Sequence, residues 1–417
     1  MSAPGDGAGL AVTGIGLVTP AGSGTAATWE GVCAGRGTAA PDPELAGLPV
    51  AFSCRVPGFD PRDRVPGPRP WQHDRATQFA LAAAHEAVTA AELGPAARDA
   101  ARIAVVLGSA AGGVGTYEDQ FRKFTDSGPQ AVSPLTLPAF LPNMAAGQVA
   151  IALGARGPVL HTSTACASGA SAVALAALLL SSGACDVAVA GGTDAMVTPL
   201  CATAFARMKA LSRRRDAPAR ASRPFDADRD GFVLGEGAGV LVLERAADAA
   251  ARRAPVQAHL AGYGIAADAH HPVAPDPECR GLRLATAEAL RSAGATASDV
   301  AHINAHGTST PLNDRTEATA LAQLFGPDGP SVTSVTSAKG VLGHTMGASG
   351  AIEAALTALT VKHGHAPPTA NFQRPDPDSP TLDLVTDAPR TQTIPLALSN
   401  SLGFGGHVTV LAFRPGT

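Results

Sequence analysis

The feature that most constrains the fold is a regular alternation of short apolar runs with longer alanine-rich stretches along the chain. Apolar runs bounded by turn residues predict strands, and the alanine-rich stretches between them predict helices. This rhythm predicts an α/β protein with largely buried sheets. The predicted strands are Leu10–Val18, Ile103–Leu107, Val159–Thr162, Val187–Ala190, Val240–Glu244, Val256–Ile265, Val300–Asn304, Leu396–Ser399 and Val408–Phe413, with Ser331–Ser337 extended. The predicted helices are Ala76–Ala91, Ala167–Leu180, Gly281–Ala293, Ala318–Leu324 and Gly350–Val361.

The rhythm of the first half of the chain recurs in the second half. A length of 417 residues suits two to four units at roughly 100–200 residues each, or one composite core. The only plausible seam is the short segment Arg252–Pro255, so we expect two halves, residues 1–253 and 254–417. The similarity between the halves is too faint to establish a duplication. The segment Arg213–Gly231, rich in Arg, Asp, Pro and Ala, predicts a long surface excursion.

Composition excludes several classes of protein. Hydrophobic residues make up 45% of the chain and charged residues 16%, a balance opposite to that of disordered chains. The net charge of -4 and an aromatic content of 4% give no support for nucleic-acid binding. With so few aromatic side chains, the core must consist of closely packed Ala, Val and Leu.

The cysteines and the termini bear on the compartment. The six cysteines are scattered without a C-x-x-C pair, which favours reduced thiols in the cytoplasm. Residues Met1–Gly9 lack the basic and apolar regions of a signal peptide. The segment Pro158–Cys185 has no charged residue, but its unbroken apolar run, Ala172–Leu180, is shorter than the ~20 residues of a membrane span. We expect a cytoplasmic protein without membrane contact, with a buried strand and a buried helix in this segment.

Cys166 lies between a predicted strand and a predicted helix. A thiol at a helix N-terminus gains stabilisation of its thiolate from the helix dipole and the free backbone N–H groups. The small neighbours Ala165, Ala167 and Gly169 allow a sharp turn and the close approach of a substrate. The alternative is an inert core cysteine, which is our interpretation of the other five.

Two histidines occupy comparable positions in the second half. His306 directly follows a predicted strand, and His344 lies just before a predicted helix, five residues after Lys339. One cysteine with two histidines and a lysine could form a set for covalent catalysis, although such histidines are more often structural. We predict no metal site, because no H-E-x-x-H motif is present.

Other motifs narrow the chemistry further. Neither a P-loop nor a G-x-G-x-x-G fingerprint occurs, so nucleotide hydrolysis and Rossmann-type hydride transfer lose their main support. The glycine-rich segment Asn400–Gly406 is either a simple hairpin or a turn in which Phe404 acts as a gate or a backbone donor.

Five motifs, in matching order and spacing, carry a resemblance to a known family over residues 12–413. In these motifs the chain resembles the elongating β-ketoacyl-[acyl-carrier-protein] synthases, which are type II ketosynthases of the thiolase superfamily. The motifs are Thr164–Gly169, Pro224–Gly239, Asn304–Thr310, Ser337–Gly350 and Asn400–Gly406.

The resemblance implies a five-layer αβαβα core built from two duplicated halves, and decarboxylative Claisen condensation without any cofactor. It implies that Cys166 takes the acyl chain and that His306 and His344 promote decarboxylation of a malonyl unit. Backbone N–H groups of Cys166 and Phe404 would form the oxyanion hole, with Phe404 also acting as the gate. Further implied roles are an ion pair that orients the histidines, from Lys339 and Glu317, and hydroxyls that hold pantetheine, from Thr308 and Thr310.

Several positions depart from the fatty-acid enzymes that the chain resembles. Ala111 stands where a bulky aliphatic side chain is usual at the acyl pocket, and Thr136 replaces a common aromatic near that pocket. Phe205 keeps the usual pocket aromatic, and Val273 replaces a threonine that often contacts pantetheine. The hypothesis is a longer or more polar pocket, and the alternative is neutral drift with repacking.

The resemblance also implies partners. An acidic acyl carrier protein would dock on basic residues near the entrance, although such clusters are often only solvated surface. The implied assembly is a homodimer, or a heterodimer with a subunit resembling a chain-length factor. The docking candidates are Arg62, Arg64, Arg69, Arg207, Lys209 and Arg213–Arg215.

Particular residues favour or disfavour each of the competing functions. The predicted enzyme belongs either to fatty acid synthesis or to a dissociated polyketide or polyene system, and Ala111 and Thr136 tilt the balance toward the second. A non-catalytic partner subunit is disfavoured by the complete set of Cys166, His306, His344 and Lys339. A thiolase acting on coenzyme A esters is disfavoured by the two histidines.

Overall fold

The computed structural model describes residues 9–67, 69–94, 99–326 and 333–416. Its strands are β1 (Leu10–Thr19), β2 (Gly22–Ser23), β3 (Ala40–Pro41), β4 (Phe52–Ser53), β5 (Ile103–Gly108), β6 (Val159–Thr162), β7 (Val187–Asp194), β8 (Gly237–Arg245), β9 (Ala258–Ala267), β10 (His302–Asn304), β11 (Ser334–Thr336), β12 (His365–Ala366), β13 (Asp383–Leu384), β14 (Arg390–Thr391), β15 (Ala397–Gly403) and β16 (His407–Pro415). Its α-helices are α1 (Thr25–Cys33), α2 (Pro61–Arg64), α3 (Arg75–Ala90), α4 (Val114–Ser127), α5 (Thr136–Phe140), α6 (Met144–Leu153), α7 (Ser168–Ser181), α8 (Pro199–Arg207), α9 (Ala246–Ala251), α10 (Arg280–Ser292), α11 (Pro311–Phe325), α12 (Lys339–Leu342) and α13 (Ser349–His363).

The sheet topology repeats itself. In the 12-stranded sheet the first half contributes the order β6-β5-β7-β8-β1 and the second half the order β11-β10-β15-β16-β9. When the five strands of each half are counted in chain order, they take the same positions in the sheet. Neighbouring strands also pair in the same sense, with two parallel pairs followed by two antiparallel pairs in each half. The halves meet where β1 pairs antiparallel with β9.

The repeat extends into the turns that follow the third strand of each half. A residue in the left-handed region, Ala165 (φ 50°) or Met346 (φ 51°), begins a single 3-10 turn. That turn leads into α7 in the first half and into α13 in the second, and both helices are largely buried. The turn of the first half therefore contains Cys166, and the equivalent turn of the second half begins two residues after His344.

Alternating strand residues sort the core into layers. One set of strand side chains, including Val105 and Val189, packs with α3 and α6. The opposite set, including Val106 and Ala190, packs with α7 and α13, which also contact Leu411 and Phe413 of the second half. The other face of the second half packs with α10 and α11. The order helix, sheet, helix, sheet, helix follows from this alternation.

The two central helices touch through their backbones. A Cβ added to Gly169 would lie 2.8 Å from the backbone nitrogen of Ala351, and one added to Gly350 would lie 2.8 Å from that of Ala170. The contact is reciprocal, because each helix offers a glycine to an alanine of the other. Only glycine at both positions permits this close approach.

Most predicted elements are confirmed within a few residues, and two interpretations of burial are wrong. β6 is a strand, but Val159 and Leu160 are 40% and 39% exposed because β6 is the outermost strand of the sheet. The segment Arg213–Gly231 is a surface excursion only in its first part, since residues 221–226 are buried. There Arg223 and Asp226 form a buried ion pair at 2.8 Å, which compensates the burial of both charges.

Two predictions fall partly on residues that the structure does not describe. Residues 1–8 of the N-terminal segment and residues 331–332 of the predicted extended segment lie outside the described residues. Among the helices of the described part of the chain, none combines the length and apolar character needed to cross a membrane.

Candidate active site

Cys166 is presented by the turn between β6 and α7. The strand ends at Thr162, and the 3-10 turn Ala165–Ala167 carries the thiol. The Ser168 hydroxyl holds this turn, because it accepts from the backbone N–H of Thr164 at 2.9 Å and donates to the Ala165 carbonyl at 2.6 Å. The left-handed conformation of Ala165 is sparsely populated for a residue with a side chain, and such conformations cluster at functional sites.

Burial governs the thiol more strongly than the helix N-terminus does. The pKa of Cys166 is raised to about 11, mainly by desolvation and to a smaller extent by the buried Asp194 carboxylate. The Lys339 ammonium and the backbone N–H groups of Phe404 and Cys166 lower the same pKa, but less. The expectation of a thiolate stabilised by the helix N-terminus is therefore wrong for the resting site, where the group is a thiol that must lose a proton to react.

His306 follows β10 and is held from both sides. Its backbone N–H donates to Glu317 at 2.8 Å, and its Nδ1 lies 3.3 Å from Lys339 Nζ. An ammonium has only donors, so Nδ1 is the acceptor and a neutral His306 carries its proton on Nε2. Burial, with Lys339 and His344 nearby, holds the pKa of His306 well below its usual range.

His344 is held by one residue from each half of the chain. Its backbone N–H donates to the Val233 carbonyl at 2.7 Å, and Nδ1 lies 2.9 Å from Ser349 Oγ. Burial and the Lys339 charge hold the pKa of His344 well below its usual range. Its ring meets that of His306 edge to face, with ring centroids 5.5 Å apart. Both imidazoles are therefore neutral at pH 7.

The predicted ion pair between Lys339 and Glu317 does not form. Lys339 Nζ pairs with Glu353 of α13 and donates to the His306 carbonyl at 2.6 Å. Glu317 instead accepts from the backbone N–H groups of His306 and Gly307, both at 2.8 Å, and from the Asn400 side chain at 3.3 Å. The carboxylate of α11 thus holds the histidine backbone, while that of α13 takes the lysine charge.

One cavity brings most of the predicted residues together. Its volume is about 450 Å³, and Cys166, His306 and His344 open onto it. Its wall also holds Thr308 and Thr310, whose hydroxyls lie 2.9 Å apart. The remaining predicted residues in the lining are Phe205, Lys209, Val273 and Phe404.

Ala111 and Thr136 lie outside this lining. Ala111 sits in the loop after β5, where its backbone N–H lies 3.4 Å from the Asp194 carboxylate. The Thr136 hydroxyl donates to the Ser133 carbonyl at 2.6 Å, at the start of α5. Their contact with an acyl chain stays a prediction.

The basic candidates lie at the surface. Arg69, Arg207, Lys209 and Arg213 are exposed, and none of them forms an ion pair within the described ranges. Arg62 is different, because it pairs with Asp60 at 2.5 Å. The unpaired cations leave their charge available to an acidic partner.

Sequence reasoning missed two acids of this region. Glu353 is the partner of Lys339, and its signal was available as the only charged side chain in the apolar stretch Gly350–Val361. Asp194 ends β7 and accepts from two segments distant in sequence, a role that no local pattern predicts. Within the described residues, no group of three or more His, Cys, Asp or Glu is arranged to hold a metal ion.

Comparison with known proteins agrees with this geometry. Residues 8–249 match the model of the beta-ketoacyl synthase N-terminal domain, and residues 257–373 match that of the C-terminal domain. A 3-oxoacyl-[acyl-carrier-protein] synthase 2 of Synechocystis is 41% identical, with 97% of each chain covered.

Two solved structures match over nearly the whole chain. The ishigamide ketosynthase/chain length factor has a TM-score of 0.90 at 33% identity, over 99% of this chain and 100% of that one. A type II PKS ketosynthase in complex with its acyl-carrier protein has a TM-score of 0.90 at 29% identity, with the same coverage.

A half-buried cysteine and two neutral histidines, set on a repeated five-layer α/β core, define a condensing acyltransferase of the thiolase fold. The chain belongs to the beta-ketoacyl synthase family. The fold, the family and the acyltransferase class predicted from the sequence are thereby confirmed.

Proposed function

We propose that this chain lengthens an acyl chain held on Cys166 by decarboxylative Claisen condensation with a malonyl group on an acyl carrier protein. The observation that carries the proposal is the opening of Cys166, His306 and His344 onto one cavity. The product is a β-ketoacyl carrier protein and carbon dioxide.

In the first half-reaction, Cys166 Sγ attacks the carbonyl carbon of the incoming thioester. The Sγ–carbon bond forms, the bond from that carbon to the pantetheine sulfur breaks, and the proton of Cys166 passes to the departing thiolate. Because the resting group is a thiol with a raised pKa, this proton needs an acceptor, and the neutral imidazoles of His306 and His344, which open onto the same cavity, can relay it.

In the second half-reaction, the malonyl carboxylate leaves as carbon dioxide, and its bonding electrons move into an enolate. The N–H on Nε2 of His306 and the neutral ring of His344 stabilise the negative charge on the thioester oxygen. The enolate carbon attacks the acyl carbon on Cys166, and Sγ departs. Backbone N–H groups of Cys166 and Phe404 face Sγ and can donate to the oxyanion. A donor of this kind lowers the barrier by about 3–4 kcal/mol.

The surrounding residues position these groups. Glu317 fixes the His306 backbone and Lys339 fixes its ring, so each acts as a positioning residue. Thr308 and Thr310 would hold the pantetheine arm, with Phe404 as the gate and Phe205 against the acyl chain. Thr136 and Ala111 would contact the acyl chain beyond the cavity that Cys166 lines, since neither belongs to that lining.

The carrier protein would dock on the unpaired cations around the entrance. Lys209 itself lines the cavity, and Arg207 precedes it by two residues, with Arg69 and Arg213 also exposed. Acidic carrier proteins would be steered to this surface by charge. The relatives include a ketosynthase solved with its acyl-carrier protein, which supports this choice of partner.

Reversing the charge of Arg207 and Lys209 to Glu tests this surface. We expect the KM for the acyl carrier protein to rise about tenfold at low salt, while alkylation of Cys166 by iodoacetamide stays unchanged. The double variant R253E/R283E, with the same charge change on two exposed arginines outside the candidate docking residues, serves as control. An unchanged KM in R207E/K209E would remove both residues from the docking surface.

The chain would work as a dimer built on the β6 edge. The outer edge of β6 has no partner strand within the described residues, and exposed apolar side chains of α6, β6 and α7 lie there, namely Ile151, Val159, Leu160 and Leu178. The partner would be a second copy or a subunit resembling a chain-length factor, and such a pair is named in one structural relative. We further propose a cytoplasmic location and a boundary between the two halves at residues 253 and 254, in the loop between α9 and β9.

The reaction suits two pathways. Fatty acid elongation is supported by relatives named 3-oxoacyl-[acyl-carrier-protein] synthase 2. A polyketide or polyene system is the second candidate, favoured by the small side chains of Ala111 and Thr136 and by the ishigamide ketosynthase.

Intact-protein mass spectrometry tests the proposal and the pathway together. The chain is incubated with carrier proteins bearing short saturated, long saturated or polyunsaturated groups, and then with malonyl carrier protein; C166A is the control. Acylation by saturated chains with turnover by this chain alone supports fatty acid elongation. Acylation by unsaturated chains only, or only with a partner subunit, supports the second pathway. No adduct from any carrier, with Cys166 still alkylated by iodoacetamide, contradicts the proposed function.

A further inference from the structure

Asp194 ties two loops that come from different halves of the chain. The carboxylate ends β7 and is fully buried. Its Oδ2 accepts from the backbone N–H of Gly347 at 2.6 Å and of Ala110 at 2.8 Å. Its Oδ1 accepts from the Ser109 hydroxyl at 2.6 Å. Both carboxylate oxygens are therefore used, each toward a different set of donors.

One of the two loops leads to His344, and the other contains Ala111, which is predicted from the sequence to lie at the acyl pocket. Residues 109–112 form the loop after β5, and Ser109 Oγ also accepts from the Gly112 N–H at 2.8 Å, which fastens the far end of that loop. Gly347 follows His344 by three residues, and Met346 between them lines the Cys166 cavity. Gly347 holds the position in its turn that Cys166 holds in the equivalent turn of the first half.

The donors around Asp194 are backbone N–H groups and one hydroxyl. No ion pair to Asp194 occurs within the described part of the chain, and burial raises its pKa to about 6. An amide in its place offers one acceptor oxygen and turns an NH₂ group toward the other donors. A carboxylate is thus the side chain of this size that satisfies both loops at once.

We propose that Asp194 is a positioning residue that sets the spacing between loop 109–112 on the acyl side and the His344 turn. The inference rests on the function proposed above, and it extends that function to a residue that does not line the Cys166 cavity. Loss of the Gly347 bond frees the histidine turn, whereas loss of the Ser109 hydroxyl loosens only the acyl-side loop, which keeps its Ala110 bond to Asp194. The two bonds therefore control different half-reactions.

Three variants separate these effects. Asp194→Asn disturbs both loops, and Ser109→Ala removes the acyl-side hydroxyl while leaving Gly347 bonded. Asp42→Asn is the control at a second buried aspartate, which accepts from the Ser53 hydroxyl and the Glu44 N–H, pairs with Arg55 and does not line the cavity. Malonyl carrier decarboxylation without primer and acylation of Cys166 are measured separately.

We expect D194N to lower kcat of decarboxylation by about 10- to 100-fold, since a small misplacement of a reacting group has an effect of this size. S109A should raise the KM for the acyl carrier about fivefold and leave decarboxylation within twofold, and D42N should leave both within twofold. Hydrogen exchange of the amides at 110–112 and 346–348 should accelerate in D194N, and only at 110–112 in S109A.

Two results would overturn the inference: wild-type rates and exchange in D194N, or a proportional loss of both half-reactions in S109A. If D194N does not fold, S109A still tests the inference. Hydrogen exchange reports positioning in a chain of any activity, so failure of this inference is distinguishable from failure of the proposed function.

Discussion

Lys339 places a buried positive charge beside His306. It is 1% exposed and contacts the His306 ring, the His306 carbonyl and Glu353. Its charge lowers the pKa of both histidines and of the Cys166 thiol. Burial of Glu353 raises the pKa of that carboxyl to about 7, against the pull of the lysine. The pair therefore matters for electrostatics and for folding at the same time.

Replacement of Lys339 by Met should separate these two contributions. The single variant leaves a buried carboxylate unpaired, and we expect it to lose about 3–5 kcal/mol of unfolding free energy. The double variant K339M/E353L should recover much of this stability, because an apolar pair can replace a buried ion pair. Condensation should stay low in both, as His306 lacks its partner. Denaturant unfolding and turnover check the two parts, and full activity in the double variant would contradict the role of Lys339.

The raised pKa of Cys166 predicts a steep pH profile. The thiolate is the nucleophile, and its fraction rises about tenfold per pH unit below a pKa of about 11. Alkylation of the resting enzyme by iodoacetamide should therefore accelerate about tenfold per unit from pH 7 to pH 9. Quantification of the Cys166 peptide by mass spectrometry distinguishes this thiol from the other five. A plateau below pH 8 would show that the thiolate is stabilised after all.

At the scale of elements, the crossing of α7 and α13 sets the geometry of the site. Cys166 precedes α7 by two residues, and His344 precedes α13 by five. The Gly169–Ala351 and Gly350–Ala170 contacts bring the helix backbones together. The distance between the nucleophile and the histidine turn therefore depends on this crossing.

A methyl group at the crossing should separate the helices. In Gly350→Ala the new Cβ would lie 2.8 Å from Ala170, so we expect a loss of about 1–3 kcal/mol of stability and reduced condensation. Gly147→Ala in α6 is the control, because nothing lies within 4 Å of its added Cβ. That variant should be neutral or more stable by up to about 1 kcal/mol. Thermal unfolding and turnover are measured, and equal behaviour of both variants would refute the argument.

The element pattern was largely predictable from the sequence, because apolar periodicity and glycine or proline boundaries are local signals. Cys166, His306 and His344 were also predictable, since each sits at a strand or helix boundary in a distinctive motif. Three features were not. The exposure of β6 depends on its place in the sheet order, the partner of Lys339 depends on the packing of α13 rather than α11, and the pKa of Cys166 depends on burial. These are long-range properties, which no local window contains.

At the scale of the whole molecule, several apolar side chains of the first half are exposed. β6 is an edge strand of the sheet, with Val159 and Leu160 at 40% and 39% exposure, and α4 exposes Tyr117, Phe121 and Phe124 at 47%, 57% and 50%. An unpaired strand with apolar neighbours invites another chain to pair with it. This edge is the surface on which the proposed dimer would form.

A charge on the edge strand should prevent assembly. We expect Leu160→Arg to shift the protein from dimer to monomer in sedimentation velocity, because the arginine would be buried without a partner at the interface. Leu284→Arg on α10, at an even more exposed leucine, should leave the dimer intact. A dimer in both variants would place the interface elsewhere.

The reciprocal contact of α7 and α13 has a consequence for divergence. Because backbone meets backbone at the crossing, the spacing of the reacting groups does not depend on the bulk of the surrounding side chains. Substitutions at positions predicted to shape the acyl pocket, such as Ala111 or Phe205, can then accumulate without disturbing the reaction itself. The acyl chain length can therefore change during evolution with little effect on catalysis. The four residues at the crossing, Gly169, Ala170, Gly350 and Ala351, stay under selection whatever the substrate.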